Sequence, residues 1–288
     1  TAVDPAKMEI QSISKTIPAA ASYEREIKDL FGILPAGHPD PKRLVFHQNW
    51  PEGEYPLRKD FDVRRKLPFA KENMEFKKIE GEGVYEIPVG PVHAGIIEPG
   101  HFRFQCHGEN VMHLEISLGY QHRGVENALA GGPGKRAIHH METLAGDTTI
   151  GHALAYCRAV ESLAGCRVPA RARALRAVAL ELERLANHTG DLGALAGDIG
   201  YLPTASFCGR LRGDFLNLTA LLCGSRFGRG LVRPGGTAFD ADPARVAELR
   251  QRLDATFRDV AGAVNLLWET PSVLARFEHT GTVSLALA

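Results

Sequence analysis

The sequence has 288 residues, 44% of them hydrophobic, which is enough for one large or two small folded domains. Its 34 basic and 34 acidic residues balance, so the net charge gives no reason to expect nucleic-acid binding or attraction to a membrane surface. No apolar run approaches the ~20 residues that a membrane-spanning helix needs, so a membrane role would come through partners.

The five cysteines do not have the spacing of a disulfide framework, and they fit a reducing cytoplasm. None of them pairs with another at metal-ligand spacing, so we expect most to be buried small hydrophobic residues.

The N-terminal part predicts one short helix followed by irregular structure. Ser22 is placed to cap a helix from Tyr23 to Phe31, which Gly32 ends. His38 and Asp40 lie between prolines, and two ligands do not make a metal site, so this run predicts a turn. The charged segment from Lys66 to Gly83 predicts a linker.

A β-hairpin is predicted in the middle of the chain. Two half-apolar strands, His101–Cys106 and Val111–Leu118, alternate on either side of a turn at residues 107–110. The loop that follows, Gln121 to Glu126, holds an imidazole, a guanidinium and a carboxylate. From these residues alone, the loop suits either a functional site or a buried ion-pair corner.

The second half of the chain predicts long helices that form an antiparallel bundle. The first runs from Ala137 to Leu163, the second starts at Pro169, and the third spans Thr204 to Leu222. Asp242 caps the fourth. Its expected core seam, spaced by three and four, is Val246, Leu249, Leu253, Phe257, Val260, Val264 and Leu267.

Two motif sets in this order resemble one family. Gly90 to Glu126, GPVH…EPGHFRF…GEN…GYQHRGVE, is similar to the hydrogenase-like large subunit of complex I, its D component. It resembles more closely that of membrane-bound energy-converting [NiFe] hydrogenases and formate hydrogenlyases. The D-like resemblance continues to Ala288. Glu24 to Phe61, EREIKDLFGILPAGHPDPKRLVF…YPLRKDF, resembles the end of the C component of the same complexes.

A C-like segment fused ahead of a D-like one is the arrangement of the hydrogenlyase large subunits. The resemblance implies the end of a C-like domain at 1–65, a linker at 66–88, and the N-terminal part of a D-like domain at 89–288. The implied fold class is α+β: a C-like α/β tail, a small antiparallel β layer, and a mainly helical bundle of the hydrogenase large-subunit type. We expect the chain to be a fragment of a longer protein.

The resemblance also locates a missing metal site. In the hydrogenase branch, a C-x-x-C pair that ligates nickel and iron opens the first long helix, and a histidine follows. With Ala155, Tyr156, Val160 and Glu161 as the anchor of the alignment, the histidine is His152. The two cysteines fall on Ala145 and Thr148. Because neither supplies the thiolate that nickel requires here, we predict no metal ligands in this chain.

The electron-entry residues are retained. Arg123 and His188 match family residues beside the [4Fe-4S] cluster that the partner small subunit binds. A cation near cluster sulfur stabilises the reduced state, and a titrating histidine couples electron uptake to proton uptake.

Proton and acceptor handling are also implied by position. Glu98 resembles the glutamate that relays protons from the hydrogenase centre. His93 matches the first histidine of the quinone-binding loop, where Ile97 replaces the second. His140 stands where complex I offers a tyrosine to the quinone. His140 retains the ability to donate a hydrogen bond and a proton.

The resemblance implies a cytoplasmic component of a multisubunit oxidoreductase, peripheral on the inner face of the cell membrane and not active alone. It would bind no cofactor itself and no nucleic acid. It would dock on a small iron–sulfur subunit, contact membrane-arm subunits indirectly, and pass electrons to an acceptor such as quinone. The alternative is a non-catalytic scaffold that has lost the metal site. In either case, Gly190–Gly200 and the Arg229–Gly236 loop are the expected exposed surfaces for the partner.

Overall fold

The computed structural model of the protein describes residues 3, 7–71, 77–91, 99–132 and 134–284. The chain divides into two compact units, residues 1–130 and 131–288. The elements are helices and small sheets, which confirms the α+β class. The domain boundaries expected at 65 and 88 stay predictions.

The first unit begins with β1 (Glu9–Gln11), α1 (Ala20–Phe31) and β2 (Leu34–Ala36), and β1 pairs in parallel with β2. Ser22 does not cap α1, since the helix already begins at Ala20. Glu24 on α1 is buried and accepts hydrogen bonds from the Ser12 hydroxyl at 2.6 Å and the Ile13 N–H at 2.7 Å. That carboxylate fixes the segment after β1.

A three-stranded antiparallel sheet follows, in the order β3 (Val84–Val89), β4 (His101–His107) and β5 (Asn110–Ser117). The predicted hairpin is confirmed, with its ends shifted by one residue. Strand β3 was not predicted; it follows the charged Lys66–Gly83 segment and lies largely within the linker expected at 66–88. Arg103 on β4 stands between Glu86 at 2.6 Å and Glu115 at 3.7 Å, so one sheet face carries a charge ladder.

The segment after β2 packs against the end of β5. The Asp29 carboxylate accepts the N–H groups of Leu44, Val45 and Phe46 at 2.8, 2.9 and 3.3 Å. Gly119 has φ +87°, and a Cβ there would lie 2.1 Å from the Val45 carbonyl oxygen. Only glycine therefore permits this approach. The short helix α2 (Val125–Ala128) ends the unit.

The second unit contains most of the helices. They are α3 (Ala137–Met141), α4 (Thr149–Leu163), α5 (Ala170–Asp198), α6 (Leu202–Cys223), α7 (Pro243–Trp268) and α8 (Pro271–Phe277). Two short strands, β6 (Val232–Arg233) and β7 (Gly236–Thr237), pair between α6 and α7.

The single helix predicted from Ala137 to Leu163 is wrong, because residues 142–148 interrupt it. The buried Glu142 side chain turns inward and accepts the Gly230 N–H at 2.6 Å. The Thr149 hydroxyl donates to the Glu142 carbonyl at 3.2 Å. These bonds hold the turn that separates α3 from α4.

Helix α5 buries a narrow stripe of small residues with two charges among them. Ala172, Arg176, Ala179, Glu183, Ala186 and Gly190 lie on it at intervals of three or four. Small side chains let neighbouring helices come close. A Cβ on Gly193 would lie 3.0 Å from that of Cys208 on α6.

The expected exposed surfaces are partly wrong. Gly190 is buried in α5, which runs on to Asp198. In the Arg229–Gly236 loop, Leu231 and Val232 join a core cluster with Ile150 and Cys157.

Helix α7 has the predicted start, since Asp242 accepts the Arg245 N–H at 2.8 Å and Pro243 is its first residue. Its seam is only partly correct. Leu249, Leu253 and Val260 pack on a core cluster and Leu267 is buried. Val246 and Phe257 are 52% and 62% exposed. Thr256 occupies the buried position beside Phe257.

Candidate functional site

The candidate site is the N-terminal end of α4, where the resemblance put the missing thiolates. Ala145 and Thr148 lie in the turn just before the helix, and Thr148 is its N-cap residue. A carboxylate from α5 reaches this end instead. Glu183 accepts the Ile150 N–H at 2.6 Å and the Gly151 N–H at 3.0 Å. Its two oxygens thus bind donors that a helix leaves unsatisfied.

Two glycines leave room around the start of α4. A Cβ on Gly151 would lie 3.3 Å from the near oxygen of Glu183 and 2.8 Å from the Thr148 methyl carbon. A Cβ on Gly228 would lie 2.4 Å from the Cδ1 of Ile150. Because Gly151 and Gly228 have no side chains, neighbouring groups can pack closely against the start of α4.

Charged groups surround the same point. Arg212 on α6 forms an ion pair with Asp147 at 2.7 Å, and the Asn187 amide donates to the Asp147 carbonyl at 3.1 Å. Together with Glu183 and Arg226 they line a narrow cleft of about 10 Å³, which is room for about one water molecule. Burial raises the pKa of Glu183, and the N–H groups that it accepts act in the opposite direction. The cleft can hold water beside an acid whose proton affinity is increased.

A second buried carboxylate supports the turn. Glu142, 3% exposed, binds the Gly230 N–H through one oxygen, and its other oxygen lies 3.3 Å from Nδ1 of His139. It joins the end of α3 to the turn after α6.

A buried ion pair fixes the far end of α4. Arg176 donates to both oxygens of Glu161, at 3.1 and 2.5 Å, and also to the carbonyls of Arg233 and Gly236. Glu161 accepts the Gly235 N–H at 2.8 Å as well. The bond from Arg176 lowers the pKa of Glu161 despite burial.

The predicted histidines of the second unit lie on three different helices. His140, half-buried, is next to last in α3, and His152, also half-buried, lies in the first turns of α4. His188 is exposed on α5, one residue after Asn187 of the cleft. Their proposed roles stay predictions. His93 and Glu98 lie outside the described residues.

Arg123 lies exposed in the loop of residues 118–124, between β5 and α2. Gly124, with φ +64°, donates its N–H to Nδ1 of His122 at 3.3 Å, which holds the turn. The same turn borders an apolar cleft with residues of the N-terminal segment, including Val45, His47 and Leu57. Arg123 and His188 belong to different units, so their expected proximity stays a prediction.

The site contained residues that the sequence interpretation missed. Glu183, Glu142, Asp147 and Arg212 were not singled out. Glu183 had a signal, because it occupies one of the regularly spaced positions of the α5 stripe, which Arg176 and small residues otherwise fill.

Cys106, Cys157, Cys208 and Cys223 are buried, as expected, and Cys166 is exposed. Burial raises the pKa of the Cys157 thiol to about 11, which keeps it protonated. Within the described residues, no three His, Cys, Asp or Glu side chains come together as a metal site would require. None of the helices in the described ranges combines the length and the apolar character needed to cross a bilayer.

Family models match both ends of the chain. The model of the respiratory-chain NADH dehydrogenase 30 Kd subunit matches residues 1–67. That of the 49 Kd subunit of the same enzyme matches residues 198–288. The two models match in the same order along the chain as the C-like and D-like resemblances.

Curated relatives align with nearly the whole chain. Formate hydrogenlyase subunit 5 of Escherichia coli (strain K12) is 33% identical over 99% of this chain and 51% of its own length. The C/D subunit of the NADH-quinone oxidoreductase of Bdellovibrio bacteriovorus is 30% identical over 96% of this chain and 51% of its own. The chain thus spans about half the length of these relatives.

A solved structure shares the fold. A chain of the membrane-bound sulfane sulfur reductase, an archaeal respiratory membrane complex, superposes with a TM-score of 0.65. It covers 72% of this chain and 56% of its own, at 22% identity. This likeness concerns the fold alone.

Proposed function

We infer that this chain belongs to the family of subunits that includes the C/D subunits of NADH-quinone oxidoreductases and their formate hydrogenlyase counterparts. We propose that it is a proton-coupled, electron-transferring subunit of a membrane-associated oxidoreductase. It docks on a small iron–sulfur subunit and passes electrons from that partner's cluster to an acceptor such as quinone. Its place is the inner face of the cell membrane, with membrane-arm subunits as indirect partners.

The observation that carries this proposal is the extent of the alignment. Both kinds of relative align with 96–99% of the chain, including the C-like and the D-like parts. Partner binding would use Arg123 and His188, which match residues beside the cluster in that family. A guanidinium there favours the reduced cluster, and an exposed imidazole can take up a proton as the electron arrives.

The α4 start supports redox work without a nickel–iron centre. Ala145 and Thr148 supply no thiolate, and the Glu183 carboxylate occupies this end of the helix. Hard carboxylate oxygens do not suit nickel in the way that thiolates do. A buried acid with a raised pKa, such as Glu183, suits proton handling.

A scaffold remains the second candidate, and the loss of the thiolate positions is the observation that favours it. In that case, the interface would be kept and the reaction would occur elsewhere in the complex.

The two candidates differ in turnover. The full-length protein is assembled with its small subunit, and reduction of a soluble quinone is measured for Glu98→Gln and His140→Ala. If the chain handles protons and the acceptor, both variants lose most turnover while assembly, followed by size-exclusion chromatography, is unchanged. Glu109→Gln, on the exposed hairpin turn, is the matched control and keeps full turnover. Full turnover in all three variants would leave only the scaffold.

A further inference from the structure

We propose that Glu183 is an internal proton-holding residue, held against the first turn of α4 and reached by water through the cleft beside Asp147 and Arg212. The inference deepens the proposed function and rests on it for the use of the proton. The position of the proton rests on the geometry of the second unit.

The ionised form of Glu183 is held by two backbone donors. Its oxygens accept the N–H groups of Ile150 and Gly151 at 2.6 and 3.0 Å, at the positive end of the α4 dipole. This arrangement stabilises a carboxylate without pairing it to a cation. It also makes the α4 start sensitive to the charge of one side chain.

The protonated form is favoured by what lies around it. Glu183 is 9% exposed, and burial penalises its charge. The charged groups that line the cleft are Asp147 from the turn before α4, Arg212 from α6 and Arg226 from the turn after α6. Asp147 repels a second negative charge, while the two arginines attract it. Burial and Asp147 therefore favour the neutral acid, whereas the N–H groups of Ile150 and Gly151 favour the carboxylate.

Proton uptake has a structural consequence. A proton from water in the cleft adds to one oxygen of Glu183, giving a carboxylic acid and removing one negative charge. That oxygen becomes a hydroxyl and no longer accepts its hydrogen bond from an N–H group of α4. Glu183 takes up no electron; the proton compensates the charge of an electron that arrives at the acceptor. Thr148 and His152 lie on the turn whose anchoring changes.

The test is pH-difference infrared spectroscopy of the assembled complex. Wild type should show a carboxylic-acid C=O band that titrates away as the pH rises. Glu183→Gln should lose this band, whereas Glu181→Gln should keep it, because Glu181 is exposed on the same helix.

Two charge variants test the same group without removing it. Asp147→Asn removes a repelling charge, so the band's midpoint should move to lower pH. Arg226→Gln removes an attracting charge, so the midpoint should move to higher pH. These variants also serve if Glu183→Gln fails to fold.

Persistence of the band in Glu183→Gln, or a midpoint that neither charge variant moves, would overturn the assignment. Failure of the proposed function looks different. A complex that shows the titrating band, yet has turnover unaffected by Glu98→Gln and His140→Ala, would keep Glu183 as a proton site and remove its redox use.

Discussion

Replacing Arg176 by methionine should destabilise the second unit strongly, because it leaves a buried carboxylate without its cation. Arg176 and Glu161 are 3% and 6% exposed and share two hydrogen bonds. In Arg176→Met, Glu161 retains the Gly235 N–H, and the carbonyls of Arg233 and Gly236 lose a donor.

The expected cost follows from burial. Removing one partner of a buried ion pair costs about 3–5 kcal/mol. For a folding unit of this size, that corresponds to a loss of about 6–20 °C in Tm. Replacing both partners, as in Arg176→Met with Glu161→Leu, should recover most of this loss, since no buried charge is left unpaired.

Urea unfolding followed by circular dichroism measures the free energies. The matched control is Arg171→Met, which breaks an ion pair between the same helix and Asp240. Both of those side chains are about two-thirds exposed, at 64% and 65%. The control should cost about 1 kcal/mol or less. Equal losses for Arg176→Met and Arg171→Met would refute the reasoning from burial.

The pH dependence gives a second check on the same pair. Arg176 lowers the pKa of Glu161 below its ordinary value of 4.5. The stabilisation is therefore complete above pH 4.5 and is lost as the pH falls through the lowered value. Wild type should lose stability on acidification more steeply than Arg176→Met does. Parallel curves would contradict the assignment.

Three further predictions concern the α4 start and the metal. In urea unfolding, Gly228→Ala should cost about 1–3 kcal/mol more stability than Gly224→Ala. Both glycines have positive φ, but of the two only Gly228 lies against a described side chain, that of Ile150. Equal costs would contradict this prediction. The folded-state pKa of Glu183 is raised, so the stability of wild type relative to Glu183→Gln should fall as the pH rises from 4.5 through the raised value. A stability difference that stays constant with pH would contradict this prediction. Elemental analysis of the anaerobically purified chain should find no stoichiometric nickel or iron, and finding either would reverse the interpretation of Ala145 and Thr148.

The elements that could be predicted from sequence are those with a strong local signal. The hairpin alternates apolar and polar residues through Phe102 and Phe104, and α7 begins with the Asp242–Pro243 pair. The break between α3 and α4 has no comparable signal. It depends on the bond from Gly230 to Glu142, which are 88 residues apart in the chain. Strand β3 has no strong local signal either, because a charged segment precedes it. It forms by pairing with β4.

The candidate site could likewise be predicted only in part. Its location could be predicted, because Ala155, Tyr156, Val160 and Glu161 fix the register of α4. Its chemistry could not, because Glu183 reaches the helix start from 32 residues away. The spacing of Ala179, Glu183 and Ala186 shows in retrospect that this glutamate faces inward. A buried glutamate must find donors, and the nearest are the N–H groups of α4.

The most direct test of the proton-coupled function is a redox titration of the partner's cluster in the assembled complex, at several pH values, with wild type and His188→Leu. If His188 takes up a proton with the electron, the wild-type potential should fall by up to about 59 mV per pH unit, and His188→Leu should flatten this slope. An unchanged slope in His188→Leu, in a complex that assembles normally, would contradict the account.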